Sequence, residues 1–360
     1  MFRTQYSLFL EKARNSAWPL GWALAGAFAA ALCLCGSARA ESTTSTLVGI
    51  FERGGAMKAL RPDRLANPLI AGAVLEAEWA NLEPQEGVRD WTYLERSVAL
   101  LAIAGKRAVL VVGGACPSWL AGQEPGAQPE PIETAWRRFV LALGQRFADS
   151  PNIAMAALSA PGLPRAQWPI GVEANSSQTS ETVRLAPVSP RASAALFAQA
   201  FPNLPLALYA QLPGGPDAPE AIRVALEELS NSARPLAVVV LAEIHGEEPV
   251  LESLRPVGET MRAAHGRIRC GIRLARHTPE SAAEEQPTAQ TEGSENGAEP
   301  PADQFRRAIA FGLWLGASLF EIDAADSANF ATRADLLYLH TQLSRIYGLS
   351  TPFHKFGDVF

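Results

Sequence analysis

The sequence predicts an α/β fold, a single (β/α)8 TIM barrel over residues 41–360, preceded by a signal peptide at 1–40. Three observations carry this expectation. Eight short runs rich in Val, Ile and Leu alternate with segments of helical periodicity, the pattern of parallel strands joined by crossover helices. The runs show little polar–apolar alternation, as expected of strands buried on both faces. The roughly 320 residues after the signal show no break in composition between their halves, which suits one large barrel. An open, doubly wound sheet is the alternative.

The strand runs are Thr46–Phe51, Ile70–Glu76, Ala108–Val112, Ile153–Leu158, Leu204–Gln211, Ala237–Glu243, Arg269–Leu274 and Ser318–Asp323. The connection between the first two has the weakest helical pattern. Trp91–Ala104 reads as a helix opened by Asp90, with Thr92 and Glu95 at the capping-box spacing. Ile132–Phe147 places Trp136, Phe139, Val140, Leu143 and Phe147 on one face, the stripe that a helix buries against a sheet. Ala192–Ala200, Pro219–Leu229, Leu251–Ala264, Gln304–Leu315 and Thr332–Ile346 carry similar patterns. Two connections are long. Residues 159–190, after the fourth strand, are rich in Pro, Ser and Gly. Residues 278–302, after the seventh, hold no large apolar side chain and are expected to be disordered. In a barrel both connections sit at the carboxyl ends of the strands, where active sites lie.

The first forty residues read as an export signal. Arg3, Lys12 and Arg14 give a positive start, Pro19–Cys35 is apolar and uncharged, and Ala38-Arg39-Ala40 offers a small-x-small cleavage site. The apolar run is slightly shorter than the about 20 residues of a spanning helix, so periplasmic or extracellular export is expected, with an uncleaved anchor as the alternative. The chain carries a net charge of −6. Without its basic signal the value is about −9, and no basic patch is visible, which argues against nucleic acid as a partner. Nothing beyond the signal segment suggests a membrane. Of the four cysteines, Cys116 and Cys270 lie beyond the signal, on the third and seventh strands. Set that far across a barrel, they are expected to be buried free thiols. The sequence has no Gly-x-Ser-x-Gly elbow, phosphate-cradling glycine loop or His-Glu-x-x-His, so no cofactor or metal is expected.

One stretch carries more specific information. It runs Trp79-Ala80-Asn81-Leu82-Glu83-Pro84, with Gly87 and Asp90-Trp91, then Gly105-Lys106 and Cys116-Pro117-Ser118-Trp119-Leu120. Ala135-Trp136-Arg137-Arg138-Phe139, ending at Arg146-Phe147, follows. This stretch resembles the clan-A type barrel glycosidases, over about Ala71 to Gly162, roughly a quarter of the chain. A weaker echo recurs at Gly316–Asp323. The resemblance implies a barrel whose strand ends act on or bind carbohydrate. It also implies an acid/base Glu at the end of strand four and a nucleophile Glu near the end of strand seven. Here strand four ends Leu158-Ser159-Ala160-Pro161-Gly162 and strand seven ends Leu274-Ala275-Arg276-His277. Neither matching position is acidic, so the usual pair is not carried over.

Other carboxylates stand at strand ends. Glu76 with Glu78, Glu243 with His245, and Glu321 with Asp323 are spaced two apart, which puts each pair on one face of a strand. Glu243 and Glu321, with Glu76, are the expected catalytic carboxylates. Trp119 and Trp168, just beyond strand ends, are the expected stacking platforms for a sugar ring. His245, Arg276, His277 and Asp323 complete the expected substrate-binding set, with Arg53 and Arg273 as further partners for the acids. Trp79, Trp91 and Trp136 are expected to pack in the core. For each acid the plainer role is a structural ion pair at the mouth. Two functional readings stay open. One is a glycoside hydrolase with non-standard carboxylates. The other is a catalytically degenerate barrel that binds glycan or a partner protein without hydrolysis.

Overall fold

The structure, a computed structural model, describes residues 48–121, 131–163, 166–169, 190–211, 223, 236–244, 248–264, 269–274, 301–324, 327 and 333–347. The signal at 1–40, most of the segments 159–190 and 278–302, and the helix expected over Pro219–Leu229 (apart from residue 223) lie outside the described residues.

The strands are β1 (Gly49–Arg53), β2 (Gly72–Glu78), β3 (Arg107–Gly113), β4 (Ile153–Ala157), β5 (Gln167–Pro169), β6 (Leu206–Gln211), β7 (Leu236–Ile244), β8 (Arg269–Leu274) and β9 (Ala317–Asp323). Every pairing in the sheet is parallel, in the order β4-β3-β2-β1-β9-β8-β7-β6-β5. A further parallel pairing of β4 with β6, Ala156 opposite Leu206 and Ala157 opposite Ala207, joins the two ends of the row. Eight strands therefore form a parallel (β/α)8 ring, and β5 is a short addition alongside β6. The helices are α1 (Pro62–Leu65), α2 (Trp79–Leu82), α3 (Thr92–Ile103), α4 (Ser118–Ala121), α5 (Ile132–Phe147), α6 (Pro190–Ala200), α7 (Glu248–Ala264), α8 (Pro301–Leu315) and α9 (Arg333–Tyr347).

Strand alternation sorts the apolar residues into two layers. Ala73, Leu75, Ala77, Leu110, Ile272 and Phe320 point outward and pack with helix residues such as Leu94, Leu101, Phe139, Leu143 and Ile309. Phe51, Val74, Val109, Val111, Met155, Ala157, Ala207, Tyr209 and Leu319 point inward and fill the ring. Both layers are made of side chains almost wholly removed from water. Burial of this kind stabilises a fold by about 25 cal/mol per Å² of apolar surface.

Differences from the sequence expectation are local. β2 and β3 run on to Glu78 and Gly113, because Ala77 pairs with Val112 and Glu78 with Gly113. Charged and small residues at those ends hide the continuation from composition. β5 lies inside the segment expected to be loop. Residues 301 and 302, expected in the acidic loop, open α8, with Pro301 suited to a first helical turn. The capping box at Thr92 and Glu95 does not form. The residue flanking α3 is Trp91. Asp90 instead accepts the Thr92 N–H at 2.9 Å, and Glu95 pairs with Arg146 at 2.6 Å. Cys116 and Cys270 are both free thiols, Cys270 buried and Cys116 only half-buried.

Candidate active site

The inward faces of five strands place charge just beyond the apolar layer. Arg53 follows Phe51 by two residues, Glu76 follows Val74, Tyr209 follows Ala207, Arg273 follows Gly271 and Glu321 follows Leu319. Period-two alternation therefore delivers all five side chains to the inside of the ring, toward the carboxyl ends of the strands. Val111, paired with Glu76, and Ala157 carry the inward face on through β3 and β4, so the polar cluster is bordered by an apolar wall.

The five side chains form one connected network. Arg53 Nε donates to Glu76 Oε1 at 2.5 Å. Arg273 donates through Nε and Nη2 to Glu321 Oε2, each at 3.4 Å. The Tyr209 hydroxyl donates to Glu321 Oε1 in a short contact, and the Arg273 guanidinium lies over the Tyr209 ring, 5.9 Å from its centroid. Arg273 Nη2 lies 3.9 Å from Glu76 Oε1 and 3.4 Å from Glu321 Oε2, so these two oxygens are at most about 7.3 Å apart, below the about 9.5 Å upper limit for a glycosidase carboxyl pair. Toward the rim, Arg53 Nη1 reaches Asp323 Oδ1 at 3.6 Å. Side-chain exposure rises along this series, from 0% at Glu321 and 2% at Glu76 to 7% at Arg273, 14% at Arg53 and 41% at Asp323.

Burial sets the electrostatics. Loss of water raises the Glu321 carboxyl above its ordinary range, and Arg273, Tyr209 and Arg53 oppose that rise. Tyr209, wholly buried beside Glu321, is raised well above its ordinary value for the same two reasons, desolvation first and the carboxylate second. Burial lowers Arg53, but Glu76, joined by Asp323 and Glu321, outweighs that cost and leaves the guanidinium above its ordinary value. Glu76 Oε2 is buried and has no hydrogen-bond partner among the described residues. Among the described residues no group of three or more His, Cys, Asp and Glu is arranged to hold a metal.

Of the residues singled out in the sequence, Glu76, Glu321 and Asp323 come together here, with Arg53 and Arg273 between them. Glu243 lies in β7 within an irregular register. Val240 faces Ile272 and Ile244 faces Leu274, four steps on β7 against two on β8. Alternation read from the sequence does not carry through such a bulge. His245, Arg276 and His277 lie outside the described residues. Trp168 is 5% exposed and its indole N–H donates to the Leu158 carbonyl at 2.9 Å, a core position that leaves little ring face for a ligand. Trp119, on α4, is half-buried and donates to the Glu83 carbonyl at 2.9 Å while meeting Trp79 edge-on at 6.3 Å. Tyr209 is the member that sequence reading missed. Its inward parity on β6 was the available signal.

The Trp-x-x-x-Glu-Pro stretch has a structural explanation. Glu83 is fully buried and accepts the Trp79 indole N–H at 2.8 Å and the Gly87 N–H at 3.0 Å. Gly87 takes φ +72°, a conformation that glycine adopts without strain. Trp79 in turn packs against Trp136 and Phe139, at 5.2 and 5.8 Å between ring centroids. This clasp holds the β2–α3 connection over the helix layer.

Comparison with known proteins agrees with this architecture. A family model described as beta-galactosidase, of glycoside hydrolase family 42, matches residues 71–155. Among solved structures, the catalytic core of a xylanase A superposes with a TM-score of 0.55 at 11% identity, over 81% of this chain and 91% of that one. The barrel is glycoside hydrolase-like. A thermostable mutant of a xylanase from Cellvibrio japonicus gives a TM-score of 0.53 at 10% identity, over 81% and 91% of the two chains. A triple mutant of an endo-beta-1,4-glucanase from Xanthomonas axonopodis pv. citri gives 0.50 at 11% identity, over 83% and 100%. No curated protein sequence matches the chain.

Proposed function

We propose that this protein is an exported carbohydrate-active barrel that hydrolyses glycosidic bonds with Glu321 and Glu76 in place of the carboxylates absent from the sequence positions that follow β4 and β8. The observation that carries the reading is the convergence of these two inward acids, from β9 and β2, on the single guanidinium of Arg273. Glycoside hydrolysis needs one carboxyl that holds a proton for the leaving oxygen and one carboxylate on the other side of the sugar. Glu321, raised by burial, is suited to the first role. Glu76, bonded to Arg53 Nε, is suited to the second. Different surroundings for two carboxyls are the usual way one site runs acid and base chemistry together. Tyr209 and Arg273 fix the Glu321 carboxyl, and Asp323, the most exposed member of the network, is suited to meet an entering saccharide.

The test is release of reducing sugar or chromophore from a panel of polysaccharides and chromogenic glycosides, by wild type, Glu321→Gln, Glu76→Gln and Glu243→Gln. Activity lost in the first two and kept in the third supports the assignment. Activity lost only in Glu243→Gln moves the chemistry to β7. Glycan binding without release by any form would point to a degenerate barrel. Export is tested by the N-terminus of the protein recovered outside the cytoplasm, expected at Glu41.

A further inference from the structure

We infer that the barrel mouth selects a saccharide rich in hydrogen-bond donors and rejects anionic sugars such as uronates. The inference rests on the carbohydrate reading above and narrows its substrate class. Three observations support it. The network sets Glu76, Glu321 and Asp323 against two guanidiniums, Arg53 and Arg273, so it carries no surplus positive charge even with a proton held on Glu321. Both guanidiniums are committed: Arg53 to Glu76 and Asp323, Arg273 to Glu321 and Glu76. Among the described residues of the network, an anionic ligand would have to break one of these pairs. The third observation is the unpartnered atom. Glu76 is 1% exposed and its Oε2 has no hydrogen-bond partner among the described residues. That atom accepts hydrogen bonds and cannot donate one, and a buried acceptor without a donor is unfavourable. Val74 and Glu76 share the inward face of β2, so this acceptor lies in the ring with the other members of the network. A sugar hydroxyl or a protonated amino group satisfies it. A carboxylate or sulfate group brings only acceptors against it.

The experiment measures binding by calorimetry of the full chain with three probes of equal length. They are a neutral cello-oligosaccharide, a chitosan oligosaccharide bearing free amines, and an oligogalacturonide. The expected order is amine-bearing first, neutral second and uronate last, with uronate weaker than neutral by about tenfold or more. The advantage of the amine over the neutral probe should shrink with added salt. Glu76→Gln keeps an acceptor for Arg53 at Oε1 and places an amide NH2 where Oε2 stood. It should weaken the neutral probe and improve the uronate, a reversal that a loss of fold cannot produce. If that variant does not fold, Asp323→Asn at the half-exposed rim should improve uronate binding on its own. Uronate bound as tightly as the neutral probe overturns the selectivity while leaving the carbohydrate reading in place. No binding of any probe overturns both.

Discussion

Glu83 offers the sharpest test of how the sequence builds this fold. Replacing it with Ala removes a fully buried carboxylate that accepts from Trp79 Nε1 at 2.8 Å and Gly87 N at 3.0 Å. Trp79 is itself 0% exposed, so its N–H would have no water to turn to. Hydrogen bonds to a charged acceptor contribute about 1.5–3 kcal/mol each, and the part-buried Gly87 amide recovers some of its share from water, so the expected loss is about 3–5 kcal/mol. Arg89, 3.8 Å from Glu83 and 24% exposed in its side chain, adds little. Glu83→Gln keeps one acceptor and should lose about half as much. Urea unfolding followed by tryptophan fluorescence measures both. A cycle with Trp79→Phe should show a coupling of about 1.5–3 kcal/mol, because the two side chains act through one bond. A Glu83→Ala protein within about 0.5 kcal/mol of wild type, or an additive cycle, would refute the claim that the motif is a structural clasp.

Other outcomes follow from the same geometry. Tyr209→Phe removes the donor on Glu321, so it should destabilise by about 1.5–3 kcal/mol and move the acid-dependent limb of any activity upward in pH, read from a pH–rate profile. Gly114→Ala would put a Cβ 1.8 Å from the Ala160 carbonyl oxygen, where β3 meets the connection after β4. It should cost about 1–3 kcal/mol by thermal or urea unfolding. Lys106 is 7% exposed and gives its ammonium protons to the Asn67 and Ile70 carbonyls, and burial lowers it to about 8. The folded state therefore holds fewer protons than the unfolded chain between about 8 and 10.5, and stability should rise with pH across that window. In Lys106→Met that rise should vanish from urea unfolding measured between pH 8 and 10.

The barrel was legible in the sequence because its signal is repeated. Eight apolar runs recur in register with helical stripes, and Ile132–Phe147 and Arg269–Leu274 match the observed α5 and β8 to the residue. β5 was not legible. Gln167–Pro169 is three residues long, and its partner Tyr209–Gln211 supplies the ladder. The site was legible as far as parity reaches. Spacing two apart put Glu321 with Asp323, and Glu76 with Glu78, on one face of their strands, but it could not say that Glu321 and Glu76 converge on Arg273. Trp168 misleads for a related reason. A tryptophan beyond a strand end reads as a rim residue until its N–H is seen bonded to Leu158, inside the core. For Glu243 the bulge between Val240 and Ile244 breaks the alternation on which the inference depended.

The most direct measurement is a crystal structure of the protein soaked with an oligosaccharide that the activity panel identifies as bound or cleaved. A sugar hydroxyl within about 3 Å of the Glu76 carboxylate, and a glycosidic oxygen within reach of Glu321, is the predicted result. A saccharide seated elsewhere on the chain, with Arg53, Glu76, Arg273 and Glu321 still closed on one another, would contradict it.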